Sequence, residues 1–174
     1  MFNKIKISLN ILYLYSKYSL KIYQLHTHQN LPIKVDVAWD FLSDPKNLKT
    51  ITPDYMGFDI LSGADKKMFA GQIIQYRVSP IWGISTQWVT EITHVKEREF
   101  FVDEQRFGPY SLWHHKHFIK AIPGGVSMED IVDYKLPLGV LGRMIHPFLV
   151  KPKLKEIFNY RYQKLIELFG EFKD

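Results

Sequence analysis

From Phe58 to Leu136, apolar and polar residues alternate in short runs, each closed by turn-forming residues. This period-two pattern predicts strands at Phe58–Leu61, Gln72–Val78, Thr86–Thr93, Phe100–Phe107, Ser111–Ile122 and Val126–Leu136. Ser62–Gly63, Pro80 to Gly83, Lys96–Glu99, Gly108–Pro109 and Pro123–Gly124–Gly125 punctuate them. Links this short allow only antiparallel pairing, because a parallel crossover needs roughly a dozen residues or more. Upstream, Leu20–Leu31 alternates through Ile22, Gln24, His26 and His28 and stops at Pro32, which predicts one further strand. Two short helices fit between residues 35 and 52. Asp36 is expected to cap the first, and Ser43 or Asp44 the second, with Pro45 in its first turn and Pro53 ending the segment. A long helix is expected from about Pro147 to Phe169, with Leu154, Ile157, Phe158, Leu165, Leu168 and Phe169 along one side.

The order is therefore α+β: one strand, two short helices, six further antiparallel strands and a terminal helix. A seven-stranded sheet has one apolar face to cover, and the long helix is the available cover. A strongly curved sheet around a single helix leaves space that the helix cannot fill alone. An internal cavity is the expected result.

Side-chain alternation predicts what faces that cavity. In Ser111–Ile122 the inward face carries Trp113, His115, His117 and Ile119, since Lys116 and Lys120 mark the other face as wet. In Val126–Leu136 it carries Met128, Asp130, Val132, Tyr134 and Leu136; in Phe100–Phe107, Phe101, Asp103, Gln105 and Phe107 are assigned inward. Tight turns at Gly108–Pro109 and Pro123–Gly124 place Asp103 opposite His115 and His117 opposite Asp130. Directly opposed Cβ atoms lie about 5 Å apart, so two inward pairs are expected, Asp103–His115 and His117–Asp130. Arg161 falls on the helix stripe of Ile157, Phe158 and Leu165, where a guanidinium needs a carboxylate partner.

Composition narrows the classes. At 174 residues with 46% apolar content, the chain suits one domain with a packed core. There is no cysteine, which excludes disulfides, thiolate metal sites and a Cys nucleophile and fits a cytoplasmic protein. No apolar run approaches the roughly 20 residues of a membrane span, so stable membrane insertion is not expected. The net charge of +5 does not point to nucleic acid, because Lys4, Lys6 and Lys17 lie among residues 1–19 without an acid, and elsewhere both signs are interspersed. Residues 1–19 differ in composition from the rest. They are expected to form an extension outside a single domain spanning 20–174, consistent with a misassigned start codon.

Several spaced motifs then converge. Leu31–Pro32, Trp39–Asp40–Phe41, Asp44–Pro45–Lys46–Asn47–Leu48 and Ile51–Thr52–Pro53 resemble the opening of bacterial START-like (SRPBCC) proteins. So do Phe101–Val102–Asp103–Glu104–Gln105, Gly108–Pro109–Tyr110, the Trp113, His115, His117 series and the Asp130, Val132, Tyr134 series. Leu136–Pro137–Leu138–Gly139 with Leu141–Gly142, and Ile157–Phe158–Asn159–Tyr160–Arg161, complete a match over roughly residues 20–170. The chain is most similar to the small bacterial ligand-binding branch related to polyketide cyclase/dehydrase-like proteins. The resemblance implies a helix-grip fold with a deep apolar cavity between sheet and terminal helix. It also implies a lipid, sterol, polyketide or other apolar guest, with some relatives acting as enzymes.

The expected function is therefore binding of a hydrophobic small molecule or lipid, without a cofactor or metal. Trp88, Phe101, Asp103, Gln105, Trp113, His115, His117, Asp130, Val132, Tyr134, Leu141, Phe158 and Arg161 are the expected contacts. His115, His117 and Arg161 would orient a polar head. The alternative is a cyclase or dehydratase using an inward His–Asp pair drawn from His115, His117, Asp103 and Asp130. His115 and His117 with Asp103 or Asp130 as a third ligand are also a conceivable metal set, but mutual hydrogen bonding accounts for the same residues. Gly139 to Gly142 is expected to act as a hinged lid at the cavity mouth.

Overall fold

The computed structural model describes residues 21–81 and 83–173. Both the extension at residues 1–19 and Trp82 lie outside the described residues. Strand β1 (Tyr23–Leu31) leads into helix α1 (Val35–Leu42) and two 3-10 turns, Pro45–Leu48 and Asp54–Met56. Strands β2 (Asp59–Ser62), β3 (Gln72–Ile81), β4 (Ile84–Lys96), β5 (Phe100–Phe107), β6 (Leu112–Ile122) and β7 (Gly125–Lys135) follow. Helix α2 (Val140–Ile145), a π-helical turn (His146–Val150) and the long helix α3 (Lys151–Phe169) close the chain.

The seven strands form one antiparallel sheet in the order β1-β7-β6-β5-β4-β3-β2. Because β1 and β2 sit at opposite edges, residues 32–58 must cross one face of the sheet. This is where α1 and the 3-10 turns lie. The expected register at the centre holds: Asp103 faces His115, Phe101 faces His117, and His117 faces Asp130. Register shifts in the β4–β5 pairing, between Val89 and Thr90 and between Ile92 and His94, interrupt the ladder. Such irregularities bend a strand and increase its twist. The result is the curved sheet and terminal helix of a helix-grip α+β fold.

Local chemistry explains most element ends. Asp44 caps the first 3-10 turn by accepting a hydrogen bond from the Lys46 amide, with Pro45 in its first turn. Asp36 does not cap α1. The helix begins one residue after Lys34, and Asp36 sits within its first turn, paired with Arg98. Helical structure also starts earlier than expected near the C-terminus: Gly139 to Gly142, expected as a hinged lid, leads into and opens α2, and the π-turn carries helical structure on to the long helix expected from about Pro147.

The buried apolar residues form three clusters. Leu31, Trp39, Phe101 and Leu165 gather at one end of α3, and Trp113, Val132, Tyr134, Leu154 and Phe158 at the other. Phe58, Ile74, Tyr76, Val78 and Ile92 form a third on the β2–β4 limb. A domain of this size usually has one contiguous core. Here the clusters surround a hollow.

Candidate functional site

That hollow has a volume of about 210 Å³. One water needs only roughly 10–15 Å³ on the same measure, so there is room for a guest of many atoms. Its walls come from every layer: Ile51, Met56 and Phe58 from the crossing segment, Ile74 and Tyr76 from β3, Trp88, Thr90 and Ile92 from β4. Phe101, Trp113, Leu154, Ile157 and Phe158 continue the apolar surface. Trp88, Tyr110 and Trp113 pack edge-on or tilted against one another, with ring centroids 4.8–5.7 Å apart.

Asp103, His115, His117 and Arg161 supply the polar wall. Their side chains come from adjacent strands and from the buried stripe of α3, which runs Leu154, Phe158, Arg161, Leu165. The hydrogen bonds run diagonally across the register. His117 Nε2 lies 2.9 Å from Asp103 Oδ1, and His115 Nε2 lies 3.1 Å from Asp130 Oδ1. The expected direct pairs survive as close charge contacts. His117 Nδ1 is 2.7 Å from Asp130 Oδ1 but too far off line to hydrogen-bond, and His115 Nδ1 is 3.5 Å from Asp103 Oδ1. Each imidazole thus touches both carboxylates, and the two rings lie tilted against each other with centroids 3.7 Å apart. Phe101 covers the other face of His117 at 4.0 Å, and Arg161 Nη2 stands 3.6 Å from Asp130 Oδ1.

The charges in this cluster follow from its burial and partners. Burial alone would raise the pKa of Asp130, but the Arg161 charge, the hydrogen bond from His115 and the close contact with His117 hold it well below the usual carboxylate range. Burial also works against ionised Asp103, and the His117 hydrogen bond with the surrounding cations outweighs it. Burial and the charge of His117 keep His115 neutral, pulling its pKa down. For His117 burial is again the largest influence and disfavours charge, yet Asp103 and Asp130 together push its pKa up. With His117 protonated, two carboxylates, one guanidinium and one imidazolium sum to zero. A balanced cluster is the arrangement in which buried charges persist.

A pH prediction follows. The depressed Asp103 and Asp130 stabilise the fold above the unfolded carboxylate pKa of about 4, and this is lost as pH falls through their folded values. His117 acts in the opposite sense: its contribution is complete below about 6.5 and lost as pH rises through its raised folded value. Neutral His115 costs stability as pH drops below about 6.5. Denaturation midpoints should therefore decline on both sides of near-neutral pH. In an NMR titration, His117 should have its midpoint above the ordinary imidazole value and His115 below it.

Asp103, His115 and His117 also form, among the described residues, the one group whose composition and spacing suit a metal, with donor atoms within 4.8 Å of one another. A divalent ion there would have to displace the proton held by His117 and sit beside the Asp130–Arg161 pair. The same donor atoms already make hydrogen bonds and close charge contacts within the cluster.

Of the expected contacts, Trp88, Phe101, Asp103, Trp113, His115, His117, Phe158 and Arg161 line the cavity. Five do not. Gln105 turns back to bond the Tyr110 backbone through both its amide nitrogen and its carbonyl oxygen. Val132 is fully buried in a core cluster, and Tyr134 bonds His146 Nε2 at 2.8 Å. Burial, with Tyr23 nearby, pushes the Tyr134 phenol up to about 12. Asp130 reaches the cluster from behind and lines a second hollow of about 240 Å³ between β1 and α3, which Arg161 shares. Leu141 is 64% exposed on the outside of α2. Phe107, also assigned inward, is exposed beyond the β4–β5 register shifts. Conversely Tyr76, Thr90, Ile74 and Ile92 line the cavity without having been expected; alternation in β3 and β4 was the signal that could have found them.

No protein-family model matches the chain, and no curated protein matches it. Solved structures do. A protein from Chromobacterium violaceum superposes with a TM-score of 0.65 at 14% identity, covering 86% of this chain and 99% of that one. A START superfamily protein from Mycobacterium smegmatis gives 0.61 at 16% identity, covering 83% and 98%. Ara h 8.0201 gives 0.54 at 14% identity, covering 84% and 99%. At these identities the likeness is one of fold. The protein has the START-like helix-grip fold that its motifs resemble.

Proposed function

We propose that the protein binds a hydrophobic small molecule or lipid in the cavity between the sheet and α3. The observation that carries this reading is an apolar hollow of about 210 Å³ with one buried, charge-balanced polar cluster in its wall. Removing apolar guest surface from water would supply about 25 cal/mol per Å² toward affinity, and the few polar groups would fix orientation. The cluster also indicates the kind of head. With His115 neutral and its Nε2–H donated to Asp130, its Nδ1 is an acceptor 3.5 Å from the acceptor Asp103 Oδ1. A guest hydroxyl can donate there and accept from Arg161, so an apolar molecule carrying a hydroxyl fits better than one carrying a carboxylate.

Native mass spectrometry of gently purified protein tests this. The expected spectrum contains the polypeptide plus one lipid-sized mass, released on denaturation and bearing a hydroxyl. A spectrum of bare polypeptide only, from protein that also fails to take up added fatty alcohol, would overturn the proposal.

A further inference from the structure

On its outer surface the segment between β7 and α3 inverts the usual order of a helix. Gly142, His146 and Val150, spaced four apart, face the protein and are buried. Gly142 lies so close that a Cβ there would be 2.2 Å from the Pro137 carbonyl oxygen. His146 stacks on Tyr23 at 3.6 Å and bonds Tyr134. The large apolar side chains point the other way: Leu138, Leu141, Met144 and Phe148 are 73%, 64%, 64% and 84% exposed, and Val140 and Ile145 are also exposed. Scattered exposed apolar residues need no explanation, but six within eleven residues of one anchored segment do. Along the sequence the flanking segments are basic, with Lys153 paired to Glu156 at 3.0 Å. Residues 135–155 contain Lys135, Arg143, Lys151, Lys153 and Lys155 and no acid.

We propose that this face docks the protein peripherally on an anionic lipid surface, with Leu141, Met144 and Phe148 entering the interface and the basic residues meeting headgroup phosphates. An exposed apolar segment followed directly by exposed cations, here Lys151 and Lys155, is the pattern of an interfacial segment. A second copy of the chain would bring the same cations against each other, which disfavours self-association through this face. No helix among the described residues is long and apolar enough to cross a membrane, so the attachment is superficial. The proposal stands apart from the cavity, since none of its residues lines it.

Vesicle co-sedimentation tests it, with vesicles of phosphatidylcholine alone and of phosphatidylcholine mixed with phosphatidylglycerol. The protein is expected to sediment with the mixed vesicles at low salt, and less so as salt is raised. The double variant Leu141→Glu, Phe148→Glu should bind them at least about tenfold more weakly, because two apolar anchors are lost. Reversing Lys151 and Lys155 to Glu should weaken binding by about tenfold or more. Both pairs are exposed, so circular dichroism and apolar-dye uptake should stay unchanged, which separates this result from any failure of the cavity. Equal sedimentation with both vesicle types, or undiminished binding by the Leu141/Phe148 variant, would overturn the proposal. So would light scattering that shows a dimer dispersed by that same variant.

Discussion

Asp130→Ala is expected to lower the free energy of unfolding by about 3–5 kcal/mol, the cost of removing one partner from a buried ion pair. Asp130 is 8% exposed, and its Oδ1 meets His115 Nε2 at 3.1 Å, His117 Nδ1 at 2.7 Å and Arg161 Nη2 at 3.6 Å. Without it, a guanidinium and an imidazolium remain buried with Asp103 alone. His117 can relieve part of this by releasing its proton, so its NMR midpoint should fall in the variant. Adding Arg161→Met to Asp130→Ala removes the stranded cation, and the double variant should recover part of the loss. Chemical denaturation of the wild type, the two single variants Asp130→Ala and Arg161→Met, and the double variant completes the cycle. A loss for Asp130→Ala below about 1 kcal/mol, the value of an exposed pair, would show that the network is hydrated and does not hold the sheet to α3.

Thr90→Trp is expected to abolish guest uptake while leaving the protein folded. Thr90 is 5% exposed, follows the first register shift of β4, and points into the hollow from the wall opposite α3. An indole at that position occupies space rather than displacing a packed neighbour. The usual penalty of about 1–3 kcal/mol for overfilling a tight core should therefore be largely avoided. The polar cluster lies on β5, β6, β7 and α3 and takes no residue from β4, so its histidine titrations should persist in the variant. Loss of uptake with intact titrations would identify occupied volume, rather than disturbed charge, as the cause.

The central strands were legible because their patterns are redundant. Lys116 and Lys120 mark the wet face of β6, and the short turns before β6 and β7 leave one register that keeps every inward residue inward. Cβ positions follow from register, but χ angles do not. The diagonal His–Asp bonds were therefore beyond the pattern, and so was Gln105, whose amide is captured by the Tyr110 backbone. The second hollow, with Asp130 and Arg161 in its wall, depends on how far α3 stands from β1, which periodicity does not encode. Residues 140–146 misled for a different reason. Their inward residues are a glycine and a histidine, and their apolar residues face out, so an apolar-inside template finds no helix there.

The central claim is that the sheet and α3 enclose an occupiable space. Its most direct test is a side-by-side titration of the wild-type protein and Thr90→Trp with an environment-sensitive apolar dye, at neutral pH and with unfolding monitored in parallel. Saturable fluorescence enhancement at one site is expected in the wild type, competed away by a long-chain alcohol, and none in the equally folded variant. Identical enhancement in both proteins, or no enhancement in either, would contradict it.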